Sequence, residues 1–277
     1  MSLEKLAAHL KQTPQALVAQ ADVHTRTVQA WLASQAPRAA RFAGIGVHAS
    51  STGYPVPLLN LALSQPYPEN TPVALISKEI EQIKAFFRTR NVPWYWWLGP
   101  QPAPANMAVH LVRQGLRYDQ DPLPTMLAPL PAQPVAAPAD IQVWQASTID
   151  DLQAASTIRR LAFGFPAKAA ATYFEAMAPA WLTSPTVQLF LASKGEAPPA
   201  AMGALIIRAG IPGVYVMATL PTWNRQGLGK AILTRLLSEA TEAGFPFVVL
   251  TASPLGYPLY QQFGFEEIFT YALYYLA

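Results

Sequence analysis

The sequence contains no cysteine. Disulfides, thiolate nucleophiles and cysteine-ligated zinc or iron–sulfur centres are therefore excluded together, and a reducing, cytoplasmic setting fits. Histidine is scarce as well. His9, His24, His48 and His110 lie far apart in the first half with no ligand spacing among them, so no metal site is expected. There is no charge-free apolar run of spanning length, because Arg208 interrupts the best stretch, AAMGALIIRAGIPGVYVMATL. The opening MSLEKLAAHLKQ lacks the apolar core of a signal peptide. A soluble protein without a membrane partner is expected. A strong charge imbalance is also missing. Residues 1–139 hold 11 Lys/Arg against 7 Asp/Glu, and residues 140–277 hold 8 against 9. That excess is too small and scattered to indicate a nucleic-acid partner.

What is present is apolar mass. With 277 residues and 52% hydrophobic content, the chain can bury a sizeable core, as one large domain or two of ordinary size. The most informative stretch is TLPTWNRQGLGKAILTRLL, residues 219–237. Ahead of it, Val214–Thr219 reads as a strand. Behind it, Ile232, Leu233, Leu236 and Leu237 recur at helical spacing. Between them, Gly227 and Gly229 allow the backbone to curl with its N–H groups converging, and a helix N-terminus offers further unpaired donors and a positive dipole end. The unit suits the phosphates of a nucleotide. A Walker A loop is excluded because Asn224 and Ala231 stand where glycine and a hydroxyl are required. A dinucleotide fingerprint is excluded because Ile232 replaces the third glycine and only 48 residues follow Gly229.

From Pro122 to Asp140 the chain carries six prolines, which places a linker near 131–139. An order of elements repeats on either side of it. EIEQIKAFFRTRN, VPWYWWLGP, ANMAVHLVRQG and LRYDQ in the first half match AILTRLLSEATEAG, FPFVVLTASP, YPLYQQFG and FEEIFTYALYY in the second, as duplicated units would. The first half lacks an anion loop, since PYPENTPVALISK has no glycine and contains three prolines that cannot donate.

Residues 140–277 resemble the GNAT superfamily of acyl-CoA-dependent N-acetyltransferases. Asn224-Arg225-Gln226-Gly227-Leu228-Gly229 is similar to that family's Arg/Gln-x-x-Gly-x-Gly/Ala loop, with Asn as a departure at the first position. Leu259-Tyr260-Gln261-Gln262-Phe263-Gly264-Phe265 resembles its Tyr-x-x-x-Gly-Phe element, and LPTW its lead-in to the loop. The resemblance implies acetyl-CoA as co-substrate, its pyrophosphate on the N–H groups of Arg225, Gln226, Gly227, Leu228, Gly229 and Lys230. It also implies a pantetheine arm beside Met217, Ala218 and Thr219, and Tyr260 as the acid that protonates the departing thiolate. Tyr257, Tyr260 and Phe263 are three apart, a spacing that equally suits a core stripe.

The expected fold class is α/β, with two tandem GNAT-like domains, each a mixed sheet flanked by helices. Residues 1–131 form a degenerate copy, 132–139 the linker, and 140–277 the acetyl-CoA domain. The expected activity is acetyl transfer to a primary amine of a small molecule or peptide. A second reading is a catalytically idle acyl-CoA or small-ligand sensor. A third is a DNA-binding regulator, because Ala16–Leu32 has the look of a helix-turn-helix. With Asp22 at the turn and Arg26 as the lone cation of the second helix, a plain helical hairpin is preferred. Trp94 and Trp96 are expected on one strand face and Tyr95 and Trp97 on the other, as core or cleft lining. Strand Val214–Thr219 offers no carboxylate as a general base; Glu175 on the helix-like AATYFEAMAPAWL is the nearest by element, and a relay through water is an equal alternative.

Overall fold

A computed structural model describes residues 2–101, 104–132, 138–165 and 172–276. The helices are α1 (Leu3–His9), α2 (Pro14–Gln35), α3 (Val73–Arg88), α4 (Met107–Arg113), α5 (Ile149–Ala162), α6 (Ala178–Leu182), α7 (Leu228–Glu242) and α8 (Tyr257–Gln262). The strands are β1 (Ala40–Ala43), β2 (Val47–Ser51), β3 (Asn60–Ser64), β4 (Tyr95–Leu98), β5 (Leu116–Tyr118), β6 (Leu123–Pro129), β7 (Ile141–Gln145), β8 (Val187–Lys194), β9 (Ala201–Arg208), β10 (Ile211–Thr219), β11 (Phe247–Thr251) and β12 (Glu266–Leu276). The class is mixed α/β, as the alternation of elements in the sequence predicts.

The chain gathers into two compact units, one of Met1–His24 with Thr125–Ile268, the other of Thr25–Pro124 with Phe269–Ala277. The division falls at Pro124–Thr125, upstream of the expected linker, of which residues 133–137 lie outside the described residues. The first unit has strand order β6-β11-β10-β9-β8-β7. Its β10–β11 pair is parallel and the rest are antiparallel. In the second unit β1, β2, β3, β4 and β12 follow one another, with β5 also on β12, and only β3–β4 is parallel. Each unit therefore contains a parallel crossover, β3–α3–β4 or β10–α7–β11, as parallel pairing requires. Each sheet also takes one strand from the other half of the sequence: β6 joins β11, and β12 joins β4.

Local sequence explains the elements around the site. Thr148 caps α5 by accepting from the Asp151 N–H at 3.1 Å, while the Asp151 carboxylate accepts from the Thr148 N–H at 3.0 Å, a reciprocal capping box. The apolar stripe of α7 (Leu228, Ile232, Leu233, Leu236, Leu237, Ala240) packs with Val214, Val248 and Leu250 in one core. The strand faces of the tryptophan run separate as the alternation predicts. Trp94 and Trp96 enter the core under α3, with Trp94 stacked on Phe87 at 4.6 Å, while Trp97 packs opposite with Leu61, Leu63 and Tyr271.

One expectation is overturned. Ala16–Leu32 is neither a helix-turn-helix nor a hairpin, because α2 runs unbroken from Pro14 to Gln35. No glycine or proline stands between Gln15 and Gln35, and Asp22 continues the helix at a small propensity cost. The DNA-binding reading loses its motif. Among the described residues, no helix is long and apolar enough to cross a membrane and no cluster of three His, Cys, Asp or Glu could hold a metal.

The straight helix delivers His24 to the sheet. His24 is fully buried, its Nδ1 lies 3.1 Å from the carbonyl oxygen of Arg208, and its ring lies 5.8 Å from that of Tyr215. A Cβ on Gly213 would fall on the imidazole, so glycine is required there. Burial pushes the His24 pKa down to about 4, the Arg208 charge acting in the same direction and the hydrogen bond to the Arg208 carbonyl against it. The native state thus holds His24 neutral while the unfolded chain takes up a proton below pH 6.5. Stability should fall from pH 6.5 toward 4, with a loss of at most ~3 kcal/mol from this residue. In urea denaturation series across that range, His24→Gln should flatten the slope; an unchanged slope would remove His24 as its source.

Candidate functional site

The site begins with an irregularity in β10. Its pairing with β9 runs from Ile211↔Arg208 to Tyr215↔Ala204 and resumes at Ala218↔Met202, so Val216 and Met217 together oppose Gly203. Val216 adopts a left-handed φ of 48° to make this bulge, an uncommon conformation for a β-branched residue. Gly203 makes the bulge packable. A Cβ there would meet the Met217 sulfur and lie 2.6 Å from Ile232 Cγ2, so the missing side chain leaves the space that Met217 fills.

On its other side, β10 pairs with β11 only at Gly213↔Val249 and Val214↔Leu250. Both strands continue, β10 to Thr219 and β11 to Thr251, without further paired positions. β11 ends one residue past Leu250, so beyond the bulge the backbone of Met217, Ala218 and Thr219 has no paired position on that side, and the seam there is unpaired. An extended ligand could pair there as an added strand.

The glycine loop sits at the end of that seam. After a 3₁₀ turn at Pro221–Trp223, Asn224 is extended, Arg225 takes φ 61° and Gly227 takes φ 91° as the N-cap of α7. Two left-handed residues so close together curl the backbone into a concavity. Among the described residues, the backbone N–H groups of Arg225 to Lys230 donate no hydrogen bond, and the first turn of α7 carries no acidic residue. Gly227 is required by its φ and by Pro138, whose Cδ and Cγ would stand 2.6 Å from an added Cβ. Gly229 is different. Its Cβ would lie 3.5 Å from Leu259 Cδ2 and 3.6 Å from Thr219 Oγ1, ordinary contact distances that also place the loop beside both the strand end and α8.

Tyr260 lies on α8 with 6% exposure, its ring 5.8 Å from Phe265 and its hydroxyl against Gly256. Burial alone pushes its phenol well above the ordinary tyrosine range, so it is protonated at neutral pH. The expected aromatic spacing splits by role. Phe263 is in the core, while Tyr257 is half-buried and donates to Glu267 Oε2 at 3.1 Å. Glu175 is not on a regular helix. The described part of AATYFEAMAPAWL is a 3₁₀ turn at Glu175–Met177 followed by α6, and residues 170 and 171 lie outside the described residues. The Glu175 carboxylate accepts a short hydrogen bond from Ser156 Oγ on α5. The Val216 bulge has no signal within its own strand. Gly203, alone inside the apolar run AMGALIIR, was a signal for such a bulge.

The two loop glycines make a controlled pair. Gly227→Ala should lower stability by about 1–2 kcal/mol, the penalty of a left-handed non-glycine residue, with Pro138 adding to it. Gly229→Ala should cost less than half as much. Equal losses in thermal or denaturant melts would overturn the assignment of the cap.

Comparison with known proteins follows this geometry. Residues 145–268 match the family model described as an acetyltransferase (GNAT) domain. No curated protein matches the sequence. Among solved structures, a GCN5-related N-acetyltransferase from Kribbella flavida shares 18% identity, covering 92% of this chain and 94% of its own, at TM-score 0.68. A GCN5-related N-acetyltransferase from Sphaerobacter thermophilus shares 16% identity over 83% of this chain and 76% of its own, at TM-score 0.63. A tandem GNAT protein from the clavulanic acid biosynthesis pathway shares 15% identity over 87% of this chain and 84% of its own, at TM-score 0.57. The chain has the fold of these GNAT proteins, and its residues 145–268 are matched as an acetyltransferase domain.

Proposed function

We propose that the protein is an acyl-CoA-dependent N-acetyltransferase that moves an acetyl group from acetyl-CoA to a primary amine of a small molecule or peptide. The observation that carries this is the joining of two features: the open seam beside Met217–Thr219 ends at a loop whose N–H groups from Arg225 to Lys230 donate to nothing else among the described residues. The residues fit the co-substrate. Converging N–H groups, a helix N-terminus without acidic neighbours, and Arg225 and Lys230 suit a pyrophosphate. The unpaired strand edge suits an extended chain that carries amides. Acetyl-CoA supplies a thioester whose C–S bond breaks as the amine nitrogen bonds to the acyl carbon. The chain's part is to fix the donor along the seam, keep water from it, and return a proton to the departing sulfur. Tyr260, on α8 with its hydroxyl against Gly256, is the residue assigned the last, its phenol carrying its proton at neutral pH. The amine's own proton leaves to water or a carboxylate.

Residues 1–131 are read as a degenerate copy of the same unit, supported by the shared parallel crossover and by the like order of elements. The segment between β3 and α3 carries Pro66, Pro68 and Pro72 in place of glycines. Close to it, the Glu79 carboxylate takes the N–H groups of Ile45 and Gly46, so that region is already supplied with an anion.

Calorimetry with acetyl-CoA should give one site per chain, and Gly229→Asp should abolish it while the protein stays folded. A Cβ is accommodated there, whereas a carboxylate opposes the pyrophosphate. Two sites per chain, or normal binding by the variant, would contradict the assignment. Tyr260→Phe should lower kcat about 10²- to 10⁴-fold with acetyl-CoA affinity nearly unchanged. Unchanged turnover with chemistry rate-limiting returns Tyr260 to the core, and tight binding with no turnover on any amine favours the sensor reading.

A further inference from the structure

Arg159 stands in the last turn of α5 with its guanidinium carbon 4.4 Å from the ring centre of Tyr173, 5.7 Å from Phe174 and 5.8 Å from Phe165. Stacking on aromatic faces stabilises a cation but satisfies none of its N–H donors. Among the described residues no carboxylate pairs with Arg159, and its Nη1 is buried without a hydrogen-bond partner. Trp181, whose ring lies 4.7 Å from Phe174, likewise buries an indole Nε1–H without an acceptor. Two donors border one phenylalanine ring, and neither has an acceptor. A buried donor left unpaired costs about 1–3 kcal/mol, and more when charged, so two of them beside one ring make a place that an acceptor, ordered water or an incoming group, would fill.

The topology sets this cluster toward the seam. β7, β8, β9 and β10 are successively antiparallel, so β7 runs opposite to β10. α5 leaves the end of β7 and packs across β9 and β10, which sends it back in the direction of β10, its last turn toward the Thr219 end. Three residues earlier on the same helix, Ser156 donates to Glu175, so a carboxylate is held on α5 within one helical turn of Arg159. The arrangement offers a cation and an anion within one turn, complementary to a molecule that carries an amine and a carboxylate.

We propose that Arg159, with Trp181 as a second donor, selects the acceptor by binding a carboxylate, so that the substrates are amino acids or peptides with a free carboxylate near the amine. This rests on the acetyl-transfer reading. A guanidinium matches a carboxylate with two parallel hydrogen bonds, and its aromatic stack holds it in one orientation.

The test uses amines paired so that they differ only in the carboxylate: lysine with cadaverine, phenylalanine with phenethylamine, glycylglycine with its amide. Thiol release from acetyl-CoA is followed for the full chain and for Arg159→Met and Arg159→Lys. The carboxylated member of a pair should be preferred. Arg159→Met should lower its kcat/KM by roughly 10- to 100-fold, mainly through KM, and leave its partner and acetyl-CoA affinity unchanged. Arg159→Lys should restore part of the preference. An equal loss on both members, as a purely structural role would give, or no loss on either, overturns the inference. If acetyl-CoA binds and no amine is turned over, the same acids are titrated onto protein saturated with coenzyme A. Heat that disappears in Arg159→Met upholds the carboxylate site without the enzyme reading, and no heat overturns it. Failure to bind acetyl-CoA at all is a different result and refutes the transferase reading itself.

Discussion

A valine held at a left-handed φ governs the end of β10. Val216 takes this conformation where pairing with β11 stops at Val214↔Leu250, and the strand end beyond it, Met217 to Thr219, pairs with β9 alone. Such a conformation costs of order 1–3 kcal/mol and persists only where its surroundings over-determine it. Here the surroundings are particular. Gly203 leaves the space that Met217 takes, β9 resumes pairing at Ala218, and Leu220 donates its N–H to the Ala200 carbonyl, so the displaced strand end is held from its outer side. The core beneath it, from Val214 through Ile232 and Leu236 to Leu250, is fully buried and resists any slide. The unpaired strand edge and the glycine loop both lie beyond that bend.

The second unit shows what the same crossover looks like without the bend. β3 and β4 stay paired through Leu63↔Trp97, nearly to their ends. The space under α3 is filled by Phe87, Trp94 and Trp96, with Trp96 Nε1 donating to Ser64 Oγ at 2.6 Å. Glu79 supplies the hairpin turn at Ile45 and Gly46 with a permanent carboxylate. Large aromatic rings and a buried acid stand here where the other crossover has small residues and loop donors, so this one is built for packing.

Much of this was legible in the letters. The strand, glycine loop and helix at 214–237, the Tyr-x-x-x-Gly-Phe element, and the alternation of Trp94–Trp97 are local patterns, and local patterns carry the period of their element. Three things were not. The pattern of Ala16–Leu32 placed a turn at Asp22, yet Leu17, Val28 and Leu32 are all buried along one unbroken α2 that runs through it. Val216 gave no sign of a left-handed backbone, because the constraint comes from β9 and the core and not from valine. Arg159 is one of several arginines in the sequence; only its three-dimensional company of aromatic rings and the lack of an acid partner among the described residues mark it out.

The exchange of strands between the halves of the sequence has a consequence for how the chain comes to be folded. β12 completes the sheet that begins with β1, and β6 completes the sheet that begins with β7. On the ribosome, the sheet started first must wait for β12, which is made after every strand of the other sheet, and its most apolar strands need a partner in the meantime. Neither half can reach its final state as a separate fragment, since each would lack a strand and expose an unpaired edge. The half that carries the glycine loop borrows β6 from the first half of the sequence, so deleting the first half would leave that strand's place beside β11 empty.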